Sequence, residues 1–232
     1  MIRYQEKDFT LFESQLYQTT SIVIHTDDCI VIVDPNLLPI EVEEIRQFVN
    51  GIKDNRPIYL LFTHSHWDHI IGYGVFPEAT VIARDVFKDR EDKENILQQL
   101  KDFDVKHYIS RDYPIIYPHV DIVVYKEGQV LEFGNTSLTF YKADGHCDDG
   151  LFIVVEPLGL WIAGDYFSDV ENPSIHLSNE AYVETLEKTE SILENHDIHF
   201  LITGHGQMAD SKEEILKRKL ESLNYIKETK TQ

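Results

Sequence analysis

The sequence predicts an α+β fold, an αββα sandwich in which two β-sheets are flanked by helices. Strand-like runs come in two groups along the chain, and helix-like segments close each group. Two sheets packed face to face, with the helices outside, are the simplest way to bury so many strands in one domain. A chain of 232 residues is within the range of one or two domains, and we expect a single domain over 1–232 because no linker-like segment divides the sequence.

The first group of strands alternates with one clear helix. Its strands are β-branched or uniformly apolar runs, at 21–25, 29–33, 58–62 and 80–83. Pro39 stands at a plausible first helical position and Gly51 stands where a helix should stop, which predicts a helix between them. A charged helix is predicted over 85–101. Residues 104–119 are rich in Tyr and Pro, and they predict an irregular loop with exposed aromatic side chains.

The second group of strands begins near residue 122. Its members are apolar runs separated by glycine-containing turns, at 122–125, 129–133, 138–142, 152–156, 160–163 and 198–202. One helix is predicted over 179–195. A final helix opens at Ser211, which together with Glu214 has the Ser-x-x-Glu pattern of a capping box.

Composition limits the partners that we expect. The chain has 21 Lys+Arg and 41 Asp+Glu, a formal charge of −20, whereas proteins that bind nucleic acid need a basic surface. The only basic cluster, Lys217-Arg218-Lys219, is interpreted as the solvated face of an amphipathic helix. We therefore expect a small-molecule substrate, no nucleic acid and no membrane span, with the oligomeric state left open. Two cysteines and an amino terminus without a signal-peptide pattern favour the cytoplasm.

One short segment carries most of the chemistry. After the strand at 58–62, three histidines and one aspartate occupy six positions: His64, His66, Asp68 and His69. Imidazole and carboxylate groups are the ligands that suit Zn²⁺ and comparable metals. Side chains alternate in an extended segment, so His64 and His66 point the same way. A histidine-rich surface loop is the less favoured alternative.

Ligand-type residues also follow other strands of the sequence. They stand directly after apolar runs, and the last three have a glycine immediately before them: Asp34, His146, Asp165 and His205. Strand ends on one side of a domain converge in space, so we expect these residues to join the 64–69 segment. Together they predict two bound metals rather than one.

The His-x-His-x-Asp-His motif and the residues that follow it in order resemble the metallo-β-lactamase-fold superfamily. The resemblance runs from about Ser21 to His205, and it implies the αββα sandwich with two mixed sheets. It implies one metal held by His64, His66 and His146, and a second held by Asp68, His69 and His205. It further implies that Asp165 bridges the two metals, while Asp34 supports a ligand histidine from behind.

The implied cofactors are two divalent metal ions, Zn²⁺ in the first place, with Fe or Mn as alternatives. Two cations about 3.5–4 Å apart can share a water and lower its pKa toward about 7, which supplies a nucleophile at neutral pH. Asp68 is the expected catalytic residue, guiding a proton to the leaving group. The leading hypothesis is a metal-dependent hydrolase acting on a small-molecule ester, thioester or lactone.

The branch of the superfamily is left unassigned. Asp165 stands where common dinuclear β-lactamases have cysteine, and Ser168 stands where related lactonases have a helper tyrosine. A phosphodiesterase or nuclease of the same superfamily and an iron-dependent enzyme that handles oxygen or sulfur are the alternatives. Tyr166 and His176 are candidate substrate contacts, and the loops at 104–119 and 168–178 are the expected specificity elements.

Overall fold

A computed structural model describes residues 1–229 of the chain, and two mixed β-sheets with flanking helices make up its framework. This confirms the predicted α+β class. The chain divides into two compact units, Met1–Val124 and Tyr125–Gln232, and each unit contains one sheet with its own helices. We call them the N-terminal and the C-terminal unit. The expectation of a single domain stays a prediction.

The N-terminal unit has seven strands that lie in the sheet in chain order. They are β1 (Ile2–Gln5), β2 (Phe9–Glu13), β3 (Thr20–His25), β4 (Ile30–Val33), β5 (Ile58–Leu61), β6 (Thr80–Arg84) and β7 (Ile122–Val124). Strands β1 to β4 pair antiparallel, and β4 to β7 pair parallel. The parallel half matters for the site, because the carboxyl ends of neighbouring parallel strands lie at the same edge of a sheet.

Four helices and one short 3₁₀ helix (Tyr73–Val75) complete this unit. The helices are α1 (Pro39–Ile52), α2 (Trp67–Ile70), α3 (Asp85–Asp89) and α4 (Lys93–His107). The prediction of one helix over 85–101 is wrong, because the backbone of Arg90 leaves the helical region (φ −51°, ψ 135°) and its guanidinium pairs with Asp92 at 2.7 Å. Helix α4 then continues to His107, inside the predicted loop.

The core of the N-terminal unit follows from its apolar strands. All four residues of β4 are buried, and one face of α1 packs into the same cluster through Val42, Ile45 and Val49. Burying a side chain of this size contributes roughly 1.5–3 kcal/mol. The strand edges that carry Asp34 and the 64–69 segment therefore stand on a rigid base.

The C-terminal unit has five strands in the order β12-β11-β10-β9-β8. They are β8 (Gln129–Phe133), β9 (Thr136–Lys142), β10 (Leu151–Glu156), β11 (Leu160–Ile162) and β12 (Phe200–Ile202). Only β11 and β12 pair parallel among the described strands of this sheet. Helix α5 (Asn179–Asn195) begins after Ser178, whose hydroxyl accepts a hydrogen bond from the Ala181 amide at 3.0 Å.

The last helix, α6 (Lys212–Thr229), overturns one prediction. Only Lys217 of the basic cluster is solvated, because Arg218 and Lys219 are 5% and 9% exposed. Lys219 places its ammonium 2.6 and 2.5 Å from the two carboxylate oxygens of Glu190 on α5. Two of the three cations thus hold this helix in place instead of facing water. Over residues 1–229, no helix combines the length and apolarity that crossing a membrane requires.

Candidate metal centre

The first group of predicted ligands lies in the N-terminal unit, directly after β5. Residues 62–66 lead into α2, and His66 stands at the amino-terminal end of that short helix with extended backbone. His64 and His69 are buried, with 2% and 0% exposure, while His66 and Asp68 are partly exposed. The ring centre of His64 lies 4.7 Å from that of His66 and 4.2 Å from that of His69. The segment therefore gathers its imidazoles at one strand end.

Asp34 supports this group from the neighbouring strand. It follows β4, which pairs parallel with β5. Its Oδ1 accepts a hydrogen bond from the Thr63 amide at 2.9 Å, and its Oδ2 accepts one from the Thr63 hydroxyl at 2.5 Å. The same Oδ2 lies 3.1 Å from Nδ1 of His69. A carboxylate that already accepts these three hydrogen bonds is better suited to orient ligands than to bind a metal itself.

These contacts determine which ring nitrogens carry hydrogen. Asp34 accepts from His69, so the hydrogen of His69 is on Nδ1. The Thr63 hydroxyl gives its hydrogen to Asp34, so it accepts from Nδ1 of His64 at 3.0 Å. Both histidines therefore present an Nε2 lone pair, and that of His69 lies 3.8 Å from Oδ2 of Asp68. Lone pairs and a carboxylate at this spacing suit a cation.

The second group lies in the C-terminal unit and is centred on Asp165. Its Oδ2 is 3.1 Å from Nε2 of His146, and its Oδ1 is 3.6 Å from Nε2 of His205. Asp165 follows β11 and His205 follows β12, and these strands are parallel neighbours. The Gly204 amide donates to the Gly164 carbonyl, at 2.6 Å, and joins the two strand ends. Each carboxylate oxygen thus faces a different imidazole.

The loop that carries His146 is held by hydrogen bonds to backbone groups. Nδ1 of His146 lies 2.7 Å from the carbonyl oxygen of Ser174. A carbonyl can only accept, so Nδ1 of His146 donates a hydrogen to Ser174 and Nε2 is the ring nitrogen that faces Asp165. The amides of His176 and Leu177 donate to the carbonyls of His146 and Gly145, both at 3.0 Å. Residues 174–177 therefore clamp this loop.

Tyr166 is buried beneath the same loop rather than lining an open surface. It is 2% exposed, its hydroxyl donates to the Asp144 carbonyl at 2.7 Å, and it accepts from the His146 amide at 3.1 Å. Its ring stacks on Tyr182 with centroids 4.3 Å apart. Burial raises the pKa of Tyr166 far above its usual value, so the phenol stays neutral. These contacts favour a role in holding His146 over the expected substrate contact.

His176, the other candidate substrate contact, is exposed. Its Nε2 lies 2.9 Å from the Ser174 hydroxyl, and its ring centre is 5.5 Å from that of His146. Partial burial lowers the pKa of His176, and the nearby His146 lowers it further. The side chain is thus neutral, accessible and beside a predicted ligand, as a substrate contact would need to be.

The loop after α4 is more firmly anchored than its sequence suggests. Arg111 makes two hydrogen bonds of 2.8 Å to the carboxylate of Asp104 and donates to the Leu37 carbonyl at 3.0 Å. Tyr108 is 97% exposed, but Tyr113 and Tyr117 are only partly exposed. The expectation of exposed aromatics therefore holds for one of these three residues. The loop borders a cavity of about 720 Å³ beside α1 and the 3₁₀ helix.

Comparison with known families decides the identity of the fold. The family model of the metallo-beta-lactamase superfamily matches residues 15–205. The chain belongs to this superfamily. A comparison with curated protein sequences gives no match.

Solved structures with the metallo-beta-lactamase fold are similar over nearly the whole chain. A metallo-beta-lactamase from Pontibacter korlensis has a TM-score of 0.66 and 11% identity over 97% of this chain and 98% of its own. An archaeal superfamily protein from Sulfolobus tokodaii has a TM-score of 0.61 and 15% identity over 97% and 100%. The sec-alkyl sulfatase PisA1 has a TM-score of 0.69 and 12% identity over 96% of this chain and 41% of its own. At these identities the likeness shows the fold, and the substrate must be argued from the site.

The donor set of this superfamily member fits divalent metal ions. Each group offers imidazole Nε2 lone pairs next to carboxylate oxygens, which is the chemistry that Zn²⁺ and similar cations bind. The individual metal roles of the seven residues stay predictions. Sequence reasoning missed Thr63 and the Ser174 carbonyl, which orient His64 and His146. Only the position of Thr63 next to the motif could have indicated its role.

Proposed function

We propose that this protein is a dinuclear metal-dependent hydrolase that cleaves a small-molecule ester, thioester or lactone. The proposed ligands are seven side chains: His64, His66, Asp68, His69, His146, Asp165 and His205. The observation that carries the proposal is the orientation of the histidines, since His64, His69 and His146 all have Nδ1 hydrogen-bonded to an acceptor, which leaves Nε2 as the nitrogen that can bind a metal. Family membership supports the joining of the two groups into one centre.

Two divalent ions, Zn²⁺ first among them, would lower the pKa of water toward about 7 and polarise an acyl oxygen. The chain's own residues prepare for this chemistry. Asp34 and Thr63 fix the ring orientation of His64 and His69 through hydrogen bonds. Ser174 and Tyr166 do the same for His146 and its loop. Such outer partners raise the basicity of a ligand and prevent its rotation.

Asp68 is the proposed proton carrier. Its side chain keeps 14% exposure to solvent and lies 3.8 Å from one imidazole, that of His69, whereas the Asp165 carboxylate lies between two imidazoles. A carboxylate at the rim of a site can pass a proton to a leaving group and exchange it with water. Asp68 therefore combines a metal-facing position with access to solvent.

Charge and residue identity favour the substrate class. A formal charge of −20 opposes binding of polyanions such as nucleic acid. Asp165 stands at the bridging position, where common dinuclear β-lactamases have cysteine, so acyl bonds other than β-lactams are favoured. The two cysteines, Cys29 and Cys147, are both free and buried, which agrees with a reducing compartment such as the cytoplasm.

The test measures metal content and turnover together. The protein is loaded with Zn²⁺, Mn²⁺ or Fe²⁺, its metal content is determined, and ester, thioester, lactone and phosphodiester substrates are screened. We expect two Zn²⁺ per chain and turnover of an acyl substrate. His66→Ala should lose bound metal and lower kcat/KM by more than the 10–100-fold typical of outer partners. His199→Ala, which removes an exposed histidine outside the ligand set and outside the two expected specificity loops, is the matched control.

Full turnover by His66→Ala would contradict the proposal. Turnover of the phosphodiester alone, or activity that requires iron and oxygen, would replace it with one of the alternative functions of the superfamily. Loss of activity in the His199→Ala control would show that histidine removal acts on the fold rather than on the metals.

A further inference from the structure

Arg218 on α6 contacts both loops that carry predicted ligands from the parallel strand pair of the C-terminal unit. Its Nη1 donates to the Phe167 carbonyl at 3.1 Å and to the Gln207 carbonyl at 2.7 Å. Phe167 lies two residues after Asp165, and Gln207 lies two residues after His205. One guanidinium nitrogen thus joins the two loops at equal distance along the chain from each ligand.

The guanidinium is itself fixed from two sides. Its Nε donates to Glu214, one helical turn earlier, at 3.0 Å, and its Nη2 lies 4.0 Å from Oδ2 of Asp169. Asp169 uses its other oxygen to accept the Gln207 amide at 2.8 Å. Arg218 is 5% exposed. A buried, planar group with several fixed partners is a rigid spacer, which a flexible surface lysine is not.

The backbone of both loops needs such support. Phe167 has a φ of 60°, in the left-handed region that is unfavourable for a bulky residue. The hydrogen bond from Arg218 to its carbonyl helps to hold this conformation. On the other loop, Gly206 has a φ of 90°, and a Cβ there would lie 2.2 Å from Oδ1 of Asp169. The turns that place Asp165 and His205 are therefore fitted closely to Arg218 and Asp169.

We propose that Arg218 is a positioning residue for the metal centre, whose guanidinium holds the Asp165 loop and the His205 loop at a fixed spacing. The inference rests on the proposed function, because it takes Asp165 and His205 as ligands. It goes beyond that function in assigning a role to a residue of α6 that is not a ligand. Without the guanidinium, the two loops keep the Gly204–Gly164 and Gln207–Asp169 hydrogen bonds but lose the group that bridges their Phe167 and Gln207 carbonyls.

The experiment uses the full chain, freed of metal with a chelator and titrated with Zn²⁺ against a chromophoric competitor. Arg218→Lys keeps the charge but replaces the planar guanidinium, in which Nη1 bridges the two carbonyls while Nε donates to Glu214, with a single ammonium nitrogen that cannot occupy both positions. We expect Zn²⁺ to bind about tenfold more weakly at one or both positions. The absorption spectrum of the Co²⁺-loaded variant should also change, because the spectrum reports coordination geometry.

Lys219→Met is the matched control. It removes the neighbouring buried cation of α6, whose partner is Glu190 on α5 rather than a ligand loop. This variant should lower the free energy of unfolding but keep the Zn²⁺ affinity and the Co²⁺ spectrum of the wild type. Asp169→Asn is a second, milder variant and should weaken Zn²⁺ in the same direction as Arg218→Lys, by a smaller factor.

The outcomes separate the two proposals. A wild type that binds no Zn²⁺ overturns the proposed function and the role of Arg218 with it. Wild-type binding with unchanged affinity and spectrum in both Arg218→Lys and Asp169→Asn overturns only the role of Arg218. Equal weakening in Lys219→Met also overturns it, since general destabilisation would then explain the result.

Discussion

The two groups of predicted ligands are built in different ways. In the N-terminal unit, four ligands come from six consecutive positions and are oriented by side chains, since Asp34 and Thr63 hold His64 and His69. In the C-terminal unit, three ligands come from three separate loops that are held through their backbone, by the Tyr166 and Arg218 side chains and by the 174–177 segment, in which the Ser174 carbonyl fixes His146. Ligand orientation in the N-terminal group therefore depends on the identity of a few polar side chains. In the C-terminal group it depends on the backbone conformation of three loops.

This difference predicts different sensitivities. Loss of a single acceptor should strongly weaken metal binding by the N-terminal group, because several donors converge on Asp34. Each single mutation should weaken metal binding by the C-terminal group only moderately, because Tyr166, Arg218 and the 174–177 segment all hold its loops. Mutations that leave every ligand in place can test this contrast.

Asp34→Asn should have the largest effect among such mutations. In the wild type, Oδ2 of Asp34 accepts hydrogen bonds from the Thr63 hydroxyl and from Nδ1 of His69. An amide NH₂ group at that position can only donate, so these two buried donors would lose their acceptor. We expect Zn²⁺ affinity to fall about 10–100-fold and the free energy of unfolding to fall by about 1–3 kcal/mol. Metal titration and denaturant unfolding measure the two quantities.

Asp121→Asn is the control for Asp34→Asn, because Asp121 also accepts a backbone hydrogen bond in the N-terminal unit, from Val81 at 2.9 Å, but contacts none of the motif histidines in the described contacts. The contrast between the groups would break if Asp34→Asn bound Zn²⁺ as the wild type does.

Tyr166→Phe should have an intermediate effect in the C-terminal unit. The change removes a donor to Asp144 and an acceptor for the His146 amide, while Asp144 keeps a hydrogen bond from the Thr185 hydroxyl at 2.6 Å. We expect a loss of about 1–3 kcal/mol in the free energy of unfolding and a Zn²⁺ affinity lowered less than in Asp34→Asn.

Tyr141→Phe is a suitable comparison for Tyr166→Phe, since its hydroxyl bonds His196 at 2.6 Å in the same unit, away from the ligand loops. It should cost stability without changing metal affinity. If Tyr166→Phe weakened Zn²⁺ binding as much as Asp34→Asn does, the C-terminal group would be as sensitive to the loss of one supporting residue as the N-terminal group.

The smallest predicted effect concerns the pH dependence of stability. Burial lowers the pKa of His25 in the N-terminal unit below 6.5. The folded state then binds the proton less readily than the unfolded state, so this contribution to stability is present above about pH 6.5 and is lost as the pH falls. His25→Gln should flatten the decline of unfolding free energy between pH 7 and 5, with His119→Gln as the control.

In the C-terminal unit, Tyr182 should contribute to stability in a way that changes at the alkaline end of the pH scale. Burial raises the pKa of Tyr182 well above 10, so its contribution is present below that value and is lost as the solution becomes more alkaline. An unchanged acid slope in His25→Gln would show that other groups dominate the acid response of the N-terminal unit.

Much of the fold and the contiguous motif could be predicted because the relevant information is local. Helix α5 has the predicted bounds, and the strands at 129–133 and 21–25 agree within one residue. The N-terminal hairpin of β1 and β2 was not predicted, because strands of four and five residues are too short for their alternation of apolar and polar residues to stand out.

The supports of the site could not be predicted because they depend on long-range contacts. Arg218 and Lys219 have the charge pattern of a solvated helix face, and only the loops and Glu190 packed against them make them buried. Tyr166 stands next to Asp165 in the sequence, but its hydroxyl reaches backbone about 20 residues earlier in the chain. No local pattern encodes such a partner.

The backbone at position 34 has a cost that its side chain must outweigh. Asp34 has a φ of 47°, a left-handed conformation that glycine adopts at a lower energetic cost. Replacement by glycine would relieve that torsion but would leave Thr63 and His69 without their acceptor. The Asp34 carboxylate therefore stabilises the fold and orients His69 at a position where the backbone torsion alone would favour glycine.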